Sequence, residues 1–122
     1  MSAIKTVHDA EYAAANLGER IVAALKDAGI PPEKWTPEIL GPADQIHGGG
    51  LQQTQVHAAL VSITSDMHLL DIGCGIGGPA RYFTTEFGCR VTGIDLTDEY
   101  IDAASLLTKK IGLSDRVTFD CG

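Results

Sequence analysis

The chain has 122 residues, enough for one domain with a modest core. Its net charge of -7 argues against nucleic acid as the main partner, since gripping phosphates needs a basic surface. Hydrophobic residues make up 44%, the composition of a soluble α/β protein, and no apolar run is long enough to span a bilayer.

The N-terminus lacks the basic-then-apolar pattern of a signal peptide. Cys74, Cys89 and Cys121 are odd in number and show no C-x-x-C spacing, so they read as reduced thiols in the cytoplasm. His8, His47, His57 and His68 show no metal-ligand spacing, and no metal site is expected.

From Asp9 the pattern turns helical. Leu17, Ile21, Ala24 or Leu25, and Ala28 recur at helical spacing, with Glu19, Arg20, Lys26 and Asp27 on other faces. Gly29 ends the helix and Pro31-Pro32 prevent its resumption. This helix is either a lid or dimer element or a plain packing helix. Thr36-Pro37-Glu38 reads as an N-cap, a first-turn proline and a first-turn acid, opening a short helix to Leu40. Trp35 beside it reads as a packing residue. Gly41 to Gly50 is a loop by composition. Leu51 to Ile63 is helical, with Val56, Leu60 and Ile63 on one face and His57 at the surface or in packing.

Met67 to Ile72 reads as a strand. Apart from His68 the run is apolar, which fits a strand covered on both faces. Asp71 comes near its end, glycines follow at 73, 75, 77 and 78, and Pro79 opens a helix to Phe87. Glycine accepts positive φ, so the chain can reverse sharply after Ile72 and lie bare against a ligand. Phe83 and Phe87 should face the sheet, Arg81 should face solvent rather than clamp phosphate, and Gly88 should end the helix. Arg90 to Asp95 is the second strand, which puts Asp95 on the same rim as Asp71, where ligands of parallel sheets bind. Thr97 should cap a helix from Asp98 to about Ile111, burying Tyr100, Ile101, Ala104, Leu107 and Ile111. Gly112 stops it, and Val117 to Phe119 form a third strand at the sheet edge.

Asp71 separates two cofactors. A dinucleotide would bring pyrophosphate to the turn, where a carboxylate repels it; a sulfonium or amine would be welcome. Asp71 therefore favours S-adenosylmethionine over NAD, although Gly73, Gly75 and Gly78 also fit G-x-G-x-x-G.

Asp71-Ile-Gly-Cys-Gly-Ile-Gly77 resembles the first motif of class I S-adenosylmethionine-dependent methyltransferases, and Gly93-Ile-Asp95-Leu-Thr resembles the end of their second strand. The resemblance covers roughly the C-terminal half. It implies an α/β fold: the N-terminal half of a Rossmann-like methyltransferase domain at 65–122, preceded by a helical cap or lid segment at 1–64. It further implies that Asp71 and the backbone of Gly73, Cys74, Gly75 and Gly77 flank the methionine portion of the cofactor. Asp95, with Leu96 next to it, would take the ribose hydroxyls. For Asp95 the bland alternative is a cap on the next helix.

Asp44-Gln45-Ile46-His47 resembles the loop that closes over cofactor in small-molecule methyltransferases, making Gln45 a cofactor contact and His47 a substrate contact. His47 could equally cap the next helix or sit in solvent. The family's sheet has seven strands and this chain reaches the third, so the sequence reads as an N-terminal piece. The first strand's edge would then be unpaired, a place for a second copy to pair. The acceptor implied is a small amine or a phenol- or quinone-like molecule. The competing readings are an NAD-dependent oxidoreductase and a non-catalytic binding or assembly fragment, and the piece alone is expected to be inactive.

Overall fold

The computed structural model describes residues 16–36, 38–40 and 50–122. The stretches before Asn16 and from Gly41 to Gly49, with Gln45 and His47, lie outside the described residues, as does Pro37.

Helix α1 spans Leu17–Asp27, with Glu19 in its first turn and Lys26 in its last, each matched to the helix dipole. It ends two residues before Gly29, whose φ of 77° lets the Ile30 N–H reach back to Leu25 O at 3.0 Å. A 3-10 turn follows at Pro32–Lys34. Residues 38–40 are helical, and the Ile39 N–H donates to Thr36 Oγ1 at 3.3 Å, the cap read from the sequence. Trp35 is buried, its Nε1 donating to Ile30 O at 3.0 Å, so packing is its role in the structure.

Helix α2 spans Gly50–Ala59, shorter than expected. Its expected apolar face fails: Val56 is 50% and Leu60 78% exposed. Thr54 and Ala58, one turn apart, are buried instead. Of the expected three, only Ile63 joins a core.

The sheet follows. Strand β1 is His68–Ile72, α3 is Gly78–Phe87, β2 is Arg90–Asp95, α4 is Asp98–Lys110 and β3 is Val117–Cys121. All pairings are parallel, in the order β1-β2-β3, with Asp71 opposite Gly93 and Asp95 opposite Cys121. Gly88 and Gly112 end their helices at φ 73° and 77°. Both β-α-β crossovers return to the same side of the sheet, as a common handedness requires. That corrects one expectation. β1 is not covered on both faces: Leu70 is 62% and Ile72 75% exposed, while Leu69 packs beneath α3.

Two cores result. Under α3, Ala80, Cys89, Val91 and Val117 are buried, with Phe83, Phe87 and Phe119 against them. The second core joins α1 to α4, where Val22, Trp35, Leu40, Ile76, Ala103 and Leu107 cluster. Gly18 permits that contact, since a Cβ there would stand 2.9 Å from Leu106 Cδ2. In α4 the expected Ala104 and Leu107 are buried and Tyr100 and Ile111 pack against the core; Ala103 and Thr108 are buried as well, while Ile101 joins no core cluster.

Gly93 shows how tightly strand and turn close. A Cβ there would lie 2.7 Å from Phe119 Cδ1, 2.8 Å from Cys74 Cβ and 2.9 Å from Cys74 Sγ. Gly93→Ala should cost about 1–3 kcal/mol by overpacking. The measurement is the urea midpoint; an unshifted midpoint would mean that Phe119 and Cys74 do not close on this backbone.

Candidate cofactor site

β1 delivers Asp71 to the C-terminal rim of the sheet, half-buried. The chain then turns through Gly73, Gly75 and Gly77 at φ 73°, 57° and 87°, values only glycine adopts without strain. The turn is anchored to the end of β2. The N–H groups of Gly73 and Cys74 both donate to Ile94 O, at 2.8 and 2.9 Å. The Gly75 N–H donates to Asp95 Oδ2 at 2.9 Å, and the Gly77 N–H to Cys74 O at 3.0 Å.

Asp95 also accepts from the Thr97 N–H through Oδ1 at 3.0 Å. Thr97 is the N-cap of α4 by position and forms no side-chain cap hydrogen bond; the carboxylate instead fixes the N–H of the cap residue itself. One carboxylate thus holds both the glycine turn and the entry to α4. Each of its oxygens keeps a second lone pair. Leu96, next to it, is 79% exposed.

Asp71, Gly73, Cys74, Gly75, Gly77, Asp95 and Leu96 therefore gather at one rim. Cys74 is buried between the carboxylates. Burial first, then the charge of Asp71, then that of Asp95, push its thiol up to about 12; the Arg81 charge opposes this weakly.

Arg81 corrects an expectation. It does not face solvent but is fully buried, with Nη1 donating to Thr108 Oγ1 at 3.1 Å and Ala104 O at 3.3 Å. Its guanidinium lies beneath the turn, 2.8 Å from where a Cβ on Gly77 would sit, and Phe119 Cζ is closer still at 2.5 Å. The signal for Arg81 was its helical face, shared with Gly77, Ala80 and Thr84. Phe119 and Ile76, the apex of the turn and 1% exposed, gave no such signal. Among the described residues no cluster of histidine, cysteine or acid could hold a metal ion, and no helix is long and apolar enough to cross a membrane.

Parallel strands, a glycine turn entering α3 and an acid at the end of β2 define a nucleotide- or nucleoside-binding unit of Rossmann type. Residues 69–122 match the family model described as a methyltransferase domain. That stretch is similar to the class I S-adenosylmethionine-dependent methyltransferases.

Similar proteins include the sterol 24-C-methyltransferase of Eremothecium gossypii, 44% identical over 57 residues, which are 47% of this chain and 15% of that protein. A probable chloroplastic tocopherol O-methyltransferase of Oryza sativa is 39% identical over 54 residues, 44% of this chain and 15% of its own. Among solved structures, phosphoethanolamine N-methyltransferase 2 of Haemonchus contortus, in complex with S-adenosyl-L-methionine, aligns with 99% of this chain and 24% of its own, at 25% identity and a TM-score of 0.66. The chain thus spans about a sixth to a quarter of these relatives, which favour the methyltransferase reading over the NAD-dependent one.

The Cys74 thiol should stay protonated and unreactive through pH 8, while exposed Cys121 is alkylated. Because its pKa is raised on folding, stability should fall as pH rises above about 9, where the unfolded thiol ionises and the native one does not. Mass spectrometry after iodoacetamide treatment reads the first; rapid labelling of Cys74 in the folded protein would contradict it.

Proposed function

We propose that the chain carries the S-adenosylmethionine site of an enzyme that methylates a small-molecule acceptor. The supporting observation is where the turn spends its hydrogen bonds. Pyrophosphate sites offer free backbone N–H groups to an anion. Here the N–H groups of Gly73, Cys74, Gly75 and Gly77 are all satisfied internally, and carboxylates stand at the rim. That arrangement suits a ligand with cationic groups.

On this reading Asp71 faces the charged methionine portion, and the backbone of Gly73, Cys74, Gly75 and Gly77 runs along it. The free lone pairs of Asp95 accept the ribose hydroxyls, with Leu96 against the nucleoside. Gln45 would add a cofactor contact and His47 a substrate contact. Residues 1–64 serve as the cap and 65–122 as the first part of the Rossmann-like domain. When bound, S-adenosylmethionine supplies a sulfonium methyl open to in-line displacement. The chain's own contribution is orientation: the pinned turn and Asp95 fix where the methyl points, and alignment is worth much of the barrier.

The acceptor is a small molecule. An amine or phenol was the expectation from the sequence; the curated relatives make a sterol-like carbon equally worth testing. The match to the phosphoethanolamine enzyme across nearly the whole chain keeps the amine in view. A second copy pairing at β1, the edge strand of the sheet among the described residues, and a cytoplasmic location, in keeping with three cysteines outside any disulfide, complete the proposal.

Calorimetry with S-adenosylmethionine and with NAD tests the cofactor. Binding of the first alone is expected; binding of NAD alone would overturn the reading. Asp95→Ala should weaken S-adenosylmethionine binding by about 1–3 kcal/mol, the cost of stranding its partners. Unchanged affinity would remove Asp95 from the site. Radiolabelled methyl transfer to a sterol, a phosphoethanolamine and a tocopherol-type phenol, by a longer chain that includes this segment and set beside the segment alone, then ranks the acceptors.

A further inference from the structure

The apex of the glycine turn is a large apolar residue. Ile76 lies between Gly75 and Gly77, both at positive φ, and is 1% exposed. Backbone geometry does not require it, because the glycines already make the turn. Its side chain is seated in the core formed by Val22 of α1, Trp35, Leu40 and the α4 residues Ala103 and Leu107. Leu17, Ile21, Leu25, Ile30 and Ile39 pack around that cluster. Most of this core belongs to the N-terminal segment, so the segment is built onto the tip of the turn.

The turn is thereby held from two sides. Asp95 binds Gly75 to the end of β2, and Ile76 plugs the same turn into the segment at residues 17–40. Close-packed interiors do not deform continuously. A shift of the turn pulls Ile76 out of its socket, and undocking of the segment leaves the turn without its apolar support.

We propose that Ile76 is a positioning residue that couples the cofactor turn to the N-terminal segment. A ligand seated in the turn then steadies residues 17–40, and a docked segment raises affinity for the ligand by the same factor. The proposal rests on the methyltransferase reading given above, with S-adenosylmethionine as the ligand.

Hydrogen exchange on the unaltered chain, with and without saturating S-adenosylmethionine, tests it directly. Exchange should slow over residues 17–30 as well as over β1, the turn and β2. Trp35, the chain's single tryptophan and buried in the same core, should change its fluorescence on the same binding curve. Ile76→Ala should weaken binding about tenfold, within the usual range of coupling between sites. It should also abolish ligand-induced protection over 17–30 while leaving that of β2 in place. Ile76→Val should restore both.

Leu40→Ala opens the same core from the segment side, without altering the turn's own residues, and should weaken binding similarly. If Ile76→Ala does not fold, the unaltered chain and Leu40→Ala decide. Binding with no change in exchange over 17–30, or undiminished affinity in Leu40→Ala, overturns the coupling alone. No binding of S-adenosylmethionine by the unaltered chain overturns the methyltransferase reading itself, and calorimetry distinguishes the two results.

Discussion

A turn made of glycines has almost no side chains with which to hold itself, and here a carboxylate on the neighbouring strand does the holding. Asp95 takes the N–H of Gly75 with one oxygen and that of Thr97 with the other. Hydrogen bonds to a charged acceptor contribute roughly 1.5–3 kcal/mol each, about twice a neutral one. Ile94, the preceding residue, accepts from Gly73 and Cys74. The end of β2 therefore acts as the template on which the β1-to-α3 turn is shaped. Parallel pairing makes this possible, because it brings both strand ends to one rim.

The same template changes what the glycines mean. From sequence they read as room for a ligand. In the structure Gly77 and Gly93 are also room for protein: Phe119 of β3 fills the space beneath both, and Arg81 lies beside it. β3 thus supports the site from beneath, and its last residue, Cys121, donates from Sγ to Leu96 O at the rim. Arg81 crosses from α3 to α4 through Thr108 and Ala104, so the helices that flank the turn are tied to each other behind it.

Strand and helix positions around the turn were largely legible, because they depend on short-range signals. The apolar runs, Gly88, Gly112 and the first-turn acids of α4 placed β1, α3, β2 and α4 to within a residue or two. What failed depended on partners distant in sequence. Arg81 was assigned to solvent because arginine usually is; its acceptors lie 23 and 27 residues away. The apolar face of α2 was read from Val56, Leu60 and Ile63, yet the residues buried in that helix are the smaller Thr54 and Ala58. Two-sided cover for β1 followed from its composition alone, and only topology shows both helices on one face. Asp95 was visible as an acid at a strand end, but its grip on Gly75 was not, since a backbone donor leaves no mark in a sequence.

A thiol in the proposed methyl-donor turn raises a chemical problem that the electrostatics answer. A thiolate is a strong nucleophile, and a sulfonium methyl is an electrophile. Cys74 sits in the turn itself, so an ionised side chain there would threaten the donor. Burial removes the water a thiolate needs, and Asp71 and Asp95 add two negative charges that oppose a third. The thiol stays protonated and packs against Gly93 as a small apolar group. Burial first, and then the same carboxylates that suit a cationic ligand, keep the nearest nucleophile silent.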